Sequence, residues 1–237
     1  MKSEILKLCL KHIHRNPLTI NDQFVGTITI NKGKCSHFLD RKDNNSNLND
    51  VIVFVLESPH VDEFLECNLH PLANDKYFWF NIDKAIKNSS LFTHLSNGKY
   101  ALYFMNAIQY QCSLGFNTEY YRDLVFLFLW EMFKNDFGER LSNITKNNNV
   151  VAIVNLCTLG GHTKLFENNS QWISSVPKTF CKKFIKHLNK CGFNLNSSCS
   201  SLREIVEDYI LNTIKPLPYY TTGKHPSCWY TKSNLIN

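Results

Sequence analysis

The stretch Val51-Ile-Val-Phe-Val-Leu56, followed at once by Glu57-Ser-Pro-His60, decides the fold. This apolar, mostly β-branched run is too short for a helix and lacks the alternation of a strand with one wet face. It predicts a strand buried on both faces, with Pro59 forcing a turn directly after it. Tyr100-Ala-Leu-Tyr-Phe-Met105 and Val150-Val-Ala-Ile-Val-Asn-Leu156 have the same character, and Tyr219-Tyr-Thr-Thr222 is a weaker fourth.

Helical period fills the intervals. Thr118 to Phe133 carries Tyr121, Leu124, Val125, Phe128, Leu129 and Met132 at spacings of three and four, a mostly buried helix. Lys178 to Lys190 sets Phe180, Phe184, Ile185 and Leu188 against a row of lysines, and Ser3 to His14 interleaves charge and leucine as an amphipathic helix. Ser201 and Glu204 have the spacing of a capping box, opening a helix that ends before Pro216. The polar stretches Asp40 to Asn49 and Lys146 to Asn149 read as loops. Strands separated by helices in this order imply right-handed crossovers, hence an α/β protein in three layers, α/β/α, around a four-stranded parallel sheet.

A length of 237 residues with 43% hydrophobic positions supplies one sizeable core, so one domain is expected over 1–237, with 1–50 a helical and loop extension packed on it. No apolar run approaches the roughly 20 residues that span a bilayer. Nine cysteines, odd in number, scattered and never spaced C-x-x-C, indicate neither a disulfide framework nor a metal cage and suit a reduced cytoplasm. The net charge of +6 is compatible with a phosphate-bearing partner without specifying one.

Parallel sheets place functional groups just beyond the carboxyl ends of their strands. Here those passages are Glu57 to His60, Asn106 to Tyr110, Cys157 to His162 and Gly223 to Ser227. Glu57 reads either as a carboxylate that caps or meets solvent, or as a general base or water-orienting group, a role Asp62 and Glu63 are near enough to share. Asn106 either satisfies loop backbone or reads a nucleobase, since a side-chain amide offers both donor and acceptor. His225, held extended by Pro226 and flanked by Lys224, is a donor to a developing anion or a phosphate if it is not merely structural. Gly160-Gly161 lacks the spacing of a phosphate loop, no G-x-G-x-x-G follows any strand, and His12 and His14 have no paired carboxylate nearby. No cofactor and no metal site are indicated.

Val51 to His60, Met105 to Ile108, Val150 to Gly160 and His225-Pro226-Ser227, in that order, resemble the uracil-DNA glycosylase superfamily. The resemblance runs from Val51 to Ser227 and implies the four-stranded parallel sheet between helices. It also implies hydrolysis of the N-glycosidic bond of a flipped-out nucleotide in double-stranded DNA, leaving an abasic site. Carried over, Glu57 and His225 are catalytic, with Asp62 available to the water. Ser58 stands where some branches hold a water-activating Asp or Asn, a departure that shifts this task to Glu57 or Asp62.

Asn106 matches the base-reading Asn, and Phe78, in Tyr77-Phe-Trp-Phe80, is the expected stacking partner of the base. His60 replaces a tyrosine that excludes five-substituted pyrimidines in uracil-specific branches. Lys224 and Ser227 are phosphate contacts, with the basic helix face at Lys182 and Lys186, and Trp229 or Tyr230 is a wedge for the gap the flipped base leaves. The preferred substrate is a hypermodified, glucosylated hydroxymethylcytosine of phage DNA, as in an antiphage branch of the superfamily. Uracil repair, a catalytically inactive DNA-binding module and a small α/β hydrolase acting on nucleotides are the alternatives. No membrane and no obligate protein partner are implied.

Overall fold

The structure is a computed structural model. It describes residues 18–31, 34–39, 50–59, 61–64, 95–112, 118–160, 201–214, 217–222 and 235–236. In chain order these form β1 (Gln23–Asn31), β2 (Lys34–Leu39), β3 (Asp50–Leu56), a 3-10 turn (Val61–Phe64), β4 (Gly98–Asn106), α1 (Thr118–Asn147), β5 (Asn149–Asn155), α2 (Leu202–Thr213), β6 (Tyr219–Thr222) and β7 (Leu235–Ile236). One sheet joins all the strands in the order β2-β1-β4-β3-β5-β6-β7. The chain is an α/β protein.

Every apolar run expected to be a strand is one. β3 pairs in parallel with β4 on one side and β5 on the other, and β5 pairs in parallel with β6. The sheet is nevertheless larger than four strands and mixed. β1 lies antiparallel to β4, β2 antiparallel to β1, and β7 antiparallel to β6.

Gln23–Asn31 and Lys34–Leu39, expected within a helical and loop extension, are therefore an antiparallel pair of strands that widens the sheet. Asn31 pairs with Lys34, so only Lys32 and Gly33 connect the two strands. The local signal is the alternation Thr27-Ile-Thr-Ile30 before that glycine. At Gly26, with φ 152°, the register against β4 shifts, a bulge position where glycine is at home.

The central strand explains the apolar runs. In β3 the residues Val51 to Leu56 are all buried, because strands cover both edges and packed side chains cover both faces. Alternation sends Val51, Val53 and Val55 to one face, where they meet Val125, Leu129, Trp130, Phe137 and Leu141 of α1 and Leu202, Val206 and Ile210 of α2. Ile52, Phe54 and Leu56 go to the other, with Leu102, Phe104, Ala152, Val154 and Ile28. There the rings of Phe54 and Phe104, side by side on neighbouring strands, stack with centroids 5.2 Å apart. Each such fully buried side chain contributes about 1.5–3 kcal/mol relative to exposure.

Both described helices lie on the first face. The amphipathic helices expected over Ser3–His14 and Lys178–Lys190, and with them the second helical layer, fall outside the described residues.

α1 runs past Phe133 to Asn147, because Phe137, Leu141 and Ile144 continue the buried stripe across a segment that is otherwise mostly polar or charged. Lys146 to Asn149, expected as a loop, holds the helix end and the strand start. Asn148 alone separates them, its side-chain amide donating to the Ile144 carbonyl at 2.9 Å. α2 opens on the expected capping box: Glu204 N–H donates to Ser201 Oγ at 3.2 Å, and Ser201 N–H donates to Glu204 Oε2 at 2.6 Å.

Candidate functional site

The carboxyl ends of the parallel strands are level. Leu56 lies opposite Asn106 and Val55 opposite Asn155. The ladder continues past the strands, with Ala107 N–H donating to Leu56 O at 2.7 Å, Ile108 N–H to Glu57 O at 3.0 Å and Leu156 N–H to Val55 O at 2.8 Å. Glu57, the turn after Asn106 and the Cys157–Thr158 segment are thereby held together at one edge of the sheet.

Glu57 is 8% exposed, and both its carboxylate oxygens are engaged. Oε1 is ion-paired with Arg122 Nε at 2.9 Å. Oε2 accepts the Thr158 hydroxyl and, at 3.3 Å, the Thr158 backbone N–H. Arg122 in turn donates to Thr158 Oγ1 at 3.2 Å and, through Nε and Nη2, to Oδ1 of the fully buried Asp123 at 3.0 and 2.9 Å. A closed network of this kind holds its members more firmly than isolated pairs would.

Burial pushes the Glu57 carboxyl above its ordinary value, as does the charge of Asp123, while Arg122 and the Thr158 donors pull it down. Arg122 is held firmly cationic: burial opposes its charge, and the two carboxylates outweigh that effect.

Asn106 is the other polar group of this edge and its opposite in character. It is 0% exposed, and neither Oδ1 nor Nδ2 makes a hydrogen bond among the described residues. Alternation from Leu102 and Phe104 puts it on the second face of the sheet, beside Leu56, whereas Glu57 follows Val53 and Val55 toward α1. The two residues are neighbours across the strand ends but face opposite sides.

Ser58 is half-buried and Pro59 buried. Asp62 belongs to the 3-10 turn, its side chain lying outside what is described, while Glu63 of the same turn is buried. His60, Phe78, Lys182, Lys186, Lys224, His225, Ser227, Trp229 and Tyr230 lie outside the described residues.

Arg122, Asp123 and Thr158 are the participants that sequence reasoning passed over. The signal for the first two is a charged pair directly before the apolar run Leu124 to Trp130, where a helix buried nearly all round leaves the charges no water. Cys157, beside Thr158, is buried, and burial together with Glu57 pushes its thiol up, which favours the neutral, packed form. Asn155 is structural: it accepts Cys157 N–H at 3.0 Å and donates to Arg203 O at 3.1 Å and Tyr219 Oη at 2.8 Å.

A cavity of about 510 Å³ lies elsewhere, between the end of α2 and the start of β6, lined mainly by Ile153, Ile210, Leu211, Ile214, Leu217 and Tyr219. Neither Glu57, Arg122, Thr158 nor Asn106 lines it. Among the described residues no three His, Cys, Asp or Glu side chains gather as a metal site would require, and no described helix is long and apolar enough to cross a membrane. No family model, curated protein or solved structure matches the chain.

Proposed function

We propose that the chain is a monofunctional DNA glycosylase of the uracil-DNA glycosylase type, acting in the cytoplasm on a flipped-out modified pyrimidine of double-stranded DNA. The preferred substrate is glucosylated hydroxymethylcytosine in phage DNA, whose excision leaves an abasic site and blocks phage replication. Asn106 carries the reading. A side-chain amide held at a strand end, fully buried and with neither its donor nor its acceptor used among the described residues, costs free energy that a ligand offering the complementary pair would return. The Watson–Crick edge of a pyrimidine is such a ligand. The parallel order of β4, β3, β5 and β6 fits the same family, as does the modest positive charge.

In the reaction, water bonds to the anomeric carbon as the N-glycosidic bond breaks and its electron pair leaves with the base, and the proton the water sheds ends on that base. Unstacking the nucleotide first costs a few kcal/mol. Glu57, fixed by Arg122 and Thr158, is assigned to the positive charge that develops on the sugar, with the water positioned by Glu57 or by Asp62; His225 is assigned to the departing base.

One observation favours a second reading. With both oxygens of Glu57 engaged and Ser58 in place of a water-activating acid, the same fold is suited to binding DNA without cutting it.

Incubation with glucosylated phage DNA and with uracil-containing duplexes, followed by hot alkali, decides among these. Scission confined to the glucosylated DNA is expected. Scission of uracil DNA alone assigns the protein to repair, and binding with no scission of either overturns the enzymatic reading in favour of the module.

A further inference from the structure

The turn that leaves β4 after Asn106 is gripped from outside the sheet. Arg140, in the carboxyl-terminal half of α1, donates through Nη2 to the carbonyl of Asn106 at 3.2 Å and to that of Ala107 at 3.4 Å. Its Nη1 donates to both oxygens of Asp22, at 2.8 and 2.7 Å, and its Nε to Asp136 at 2.9 Å. Asp22 directly precedes β1 and takes a long contact from Gln109 Nε2 at 3.5 Å, while Ile20 N–H donates to Gln109 O at 3.0 Å. Arg140 and Asp22 are both largely buried, at 16% and 13% exposure. On its other side the same turn is bonded to the end of β3 and the residue after it, Ala107 N–H donating to Leu56 O and Ile108 N–H to Glu57 O.

This arrangement answers a question that Asn106 raises. A buried amide with no partner is unstable in its place, and a turn free to move would relieve it by carrying the side chain out to water. It stays only where the surrounding structure over-determines the backbone. The turn is over-determined here, by main-chain bonds from the sheet and by a planar guanidinium whose Nη1 is fixed on the Asp22 carboxylate while Nη2 reaches the two carbonyls of the turn.

We infer that Arg140, held by Asp22, is a positioning residue that keeps the Asn106 amide buried at the end of β4, where a ligand would meet it. The clamp never touches the ligand. Its purpose rests on the base-reading role given to Asn106 above, but its existence is testable apart from it.

The test is solvent exchange of the Asn106 side-chain amide protons, followed by NMR in the whole protein under native conditions. The side-chain amide of Asn155, buried and hydrogen-bonded, serves as internal reference. In R140K, which keeps the charge but loses the fork, and in D22N, Asn106 exchange should accelerate on the order of tenfold, the effect of losing a charge-assisted bond, with Asn155 unchanged. R140Q should show the larger change.

Unaltered Asn106 exchange in R140K and D22N overturns the inference. So does acceleration shared equally by Asn155, which would mark general loosening. If R140Q does not fold, the two milder substitutions decide alone.

Turnover of glucosylated phage DNA by R140K should show a raised KM with kcat lowered less. If wild-type protein cuts no DNA while the exchange result holds, the glycosylase reading fails and the clamp stands.

Discussion

Glu57 and Arg122 meet at 2.9 Å between Oε1 and Nε, which ties the end of the central strand to the first turns of α1. The pair is partly desolvated: Glu57 is 8% and Arg122 21% exposed. In such a place the attraction is worth having only because both ions are already committed to burial. Removing one leaves the other without its counter-charge.

Glu57→Ala should therefore destabilise the protein by about 3 kcal/mol, the lower end for breaking a buried pair, because Asp123 still holds Arg122. Glu57→Gln, which keeps an acceptor for Thr158, should cost less than half of that. Urea denaturation with an unchanged slope would measure both. Equal losses for the two substitutions would show that charge, not hydrogen bonding, dominates the site.

Acidity offers a second test. Burial raises the carboxyls of Glu57 and Asp22 above their ordinary 4.5 and 3.8, against the pull of Arg122 and Arg140 respectively. The folded protein then binds more protons than the unfolded chain in the window that opens at those values, so stability falls as pH rises through it. The stability difference between wild type and E57Q, or wild type and D22N, should be more in favour of wild type near pH 4.5 than at neutrality. A difference that grows toward neutrality would show ion pairing outweighing burial.

Asn106→Leu should separate stability from function. The substitution removes an unsatisfied amide and fills the same space with carbon, so it should raise stability by about 1–2 kcal/mol rather than lower it. Excision or base-dependent DNA binding should be lost. A destabilised N106L protein would mean that the amide has a structural partner and would remove the main support for base reading.

Ser201→Ala should cost about 1 kcal/mol, the usual value of an N-cap, since it breaks one arm of the capping box at the head of α2. Leu202 and Arg203 also donate there to the carbonyls of Leu159 and Thr158, at 3.2 and 3.1 Å. Fraying of α2 should thus reach the Thr158 side of the Glu57 network, visible as faster exchange of the Thr158 backbone amide.

How much of this was legible in the chain depends on the range of each interaction. The apolar runs at Val51, Tyr100 and Val150 announced buried strands because burial on both faces demands apolar side chains at every position, whatever the neighbours are. The capping box of α2 is written in two residues three apart. The strand pair β1 and β2 was passed over because Gln23 to Asn31 mixes glycine, threonine and asparagine with its apolar residues, and its burial comes from pairing with β4, far along the chain. Of the site, Glu57 and Asn106 were found from their positions at strand ends. Arg122, Thr158, Arg140 and Asp22 were not, for their meaning lies in whom they meet.

By itself, then, the sequence determined an α/β chain whose central strands end in polar groups, since helix caps, buried runs and the proline after Glu57 act within a few residues. Tertiary structure alone decided that Glu57 closes with Thr158, 101 residues away, and that Asp22 meets Arg140, 118 residues away. It also decided that Asn106 has no described partner. The reason is physical: a charge or amide shows its chemistry locally, but whether that chemistry is spent or kept depends on what the fold brings within about 3 Å of it.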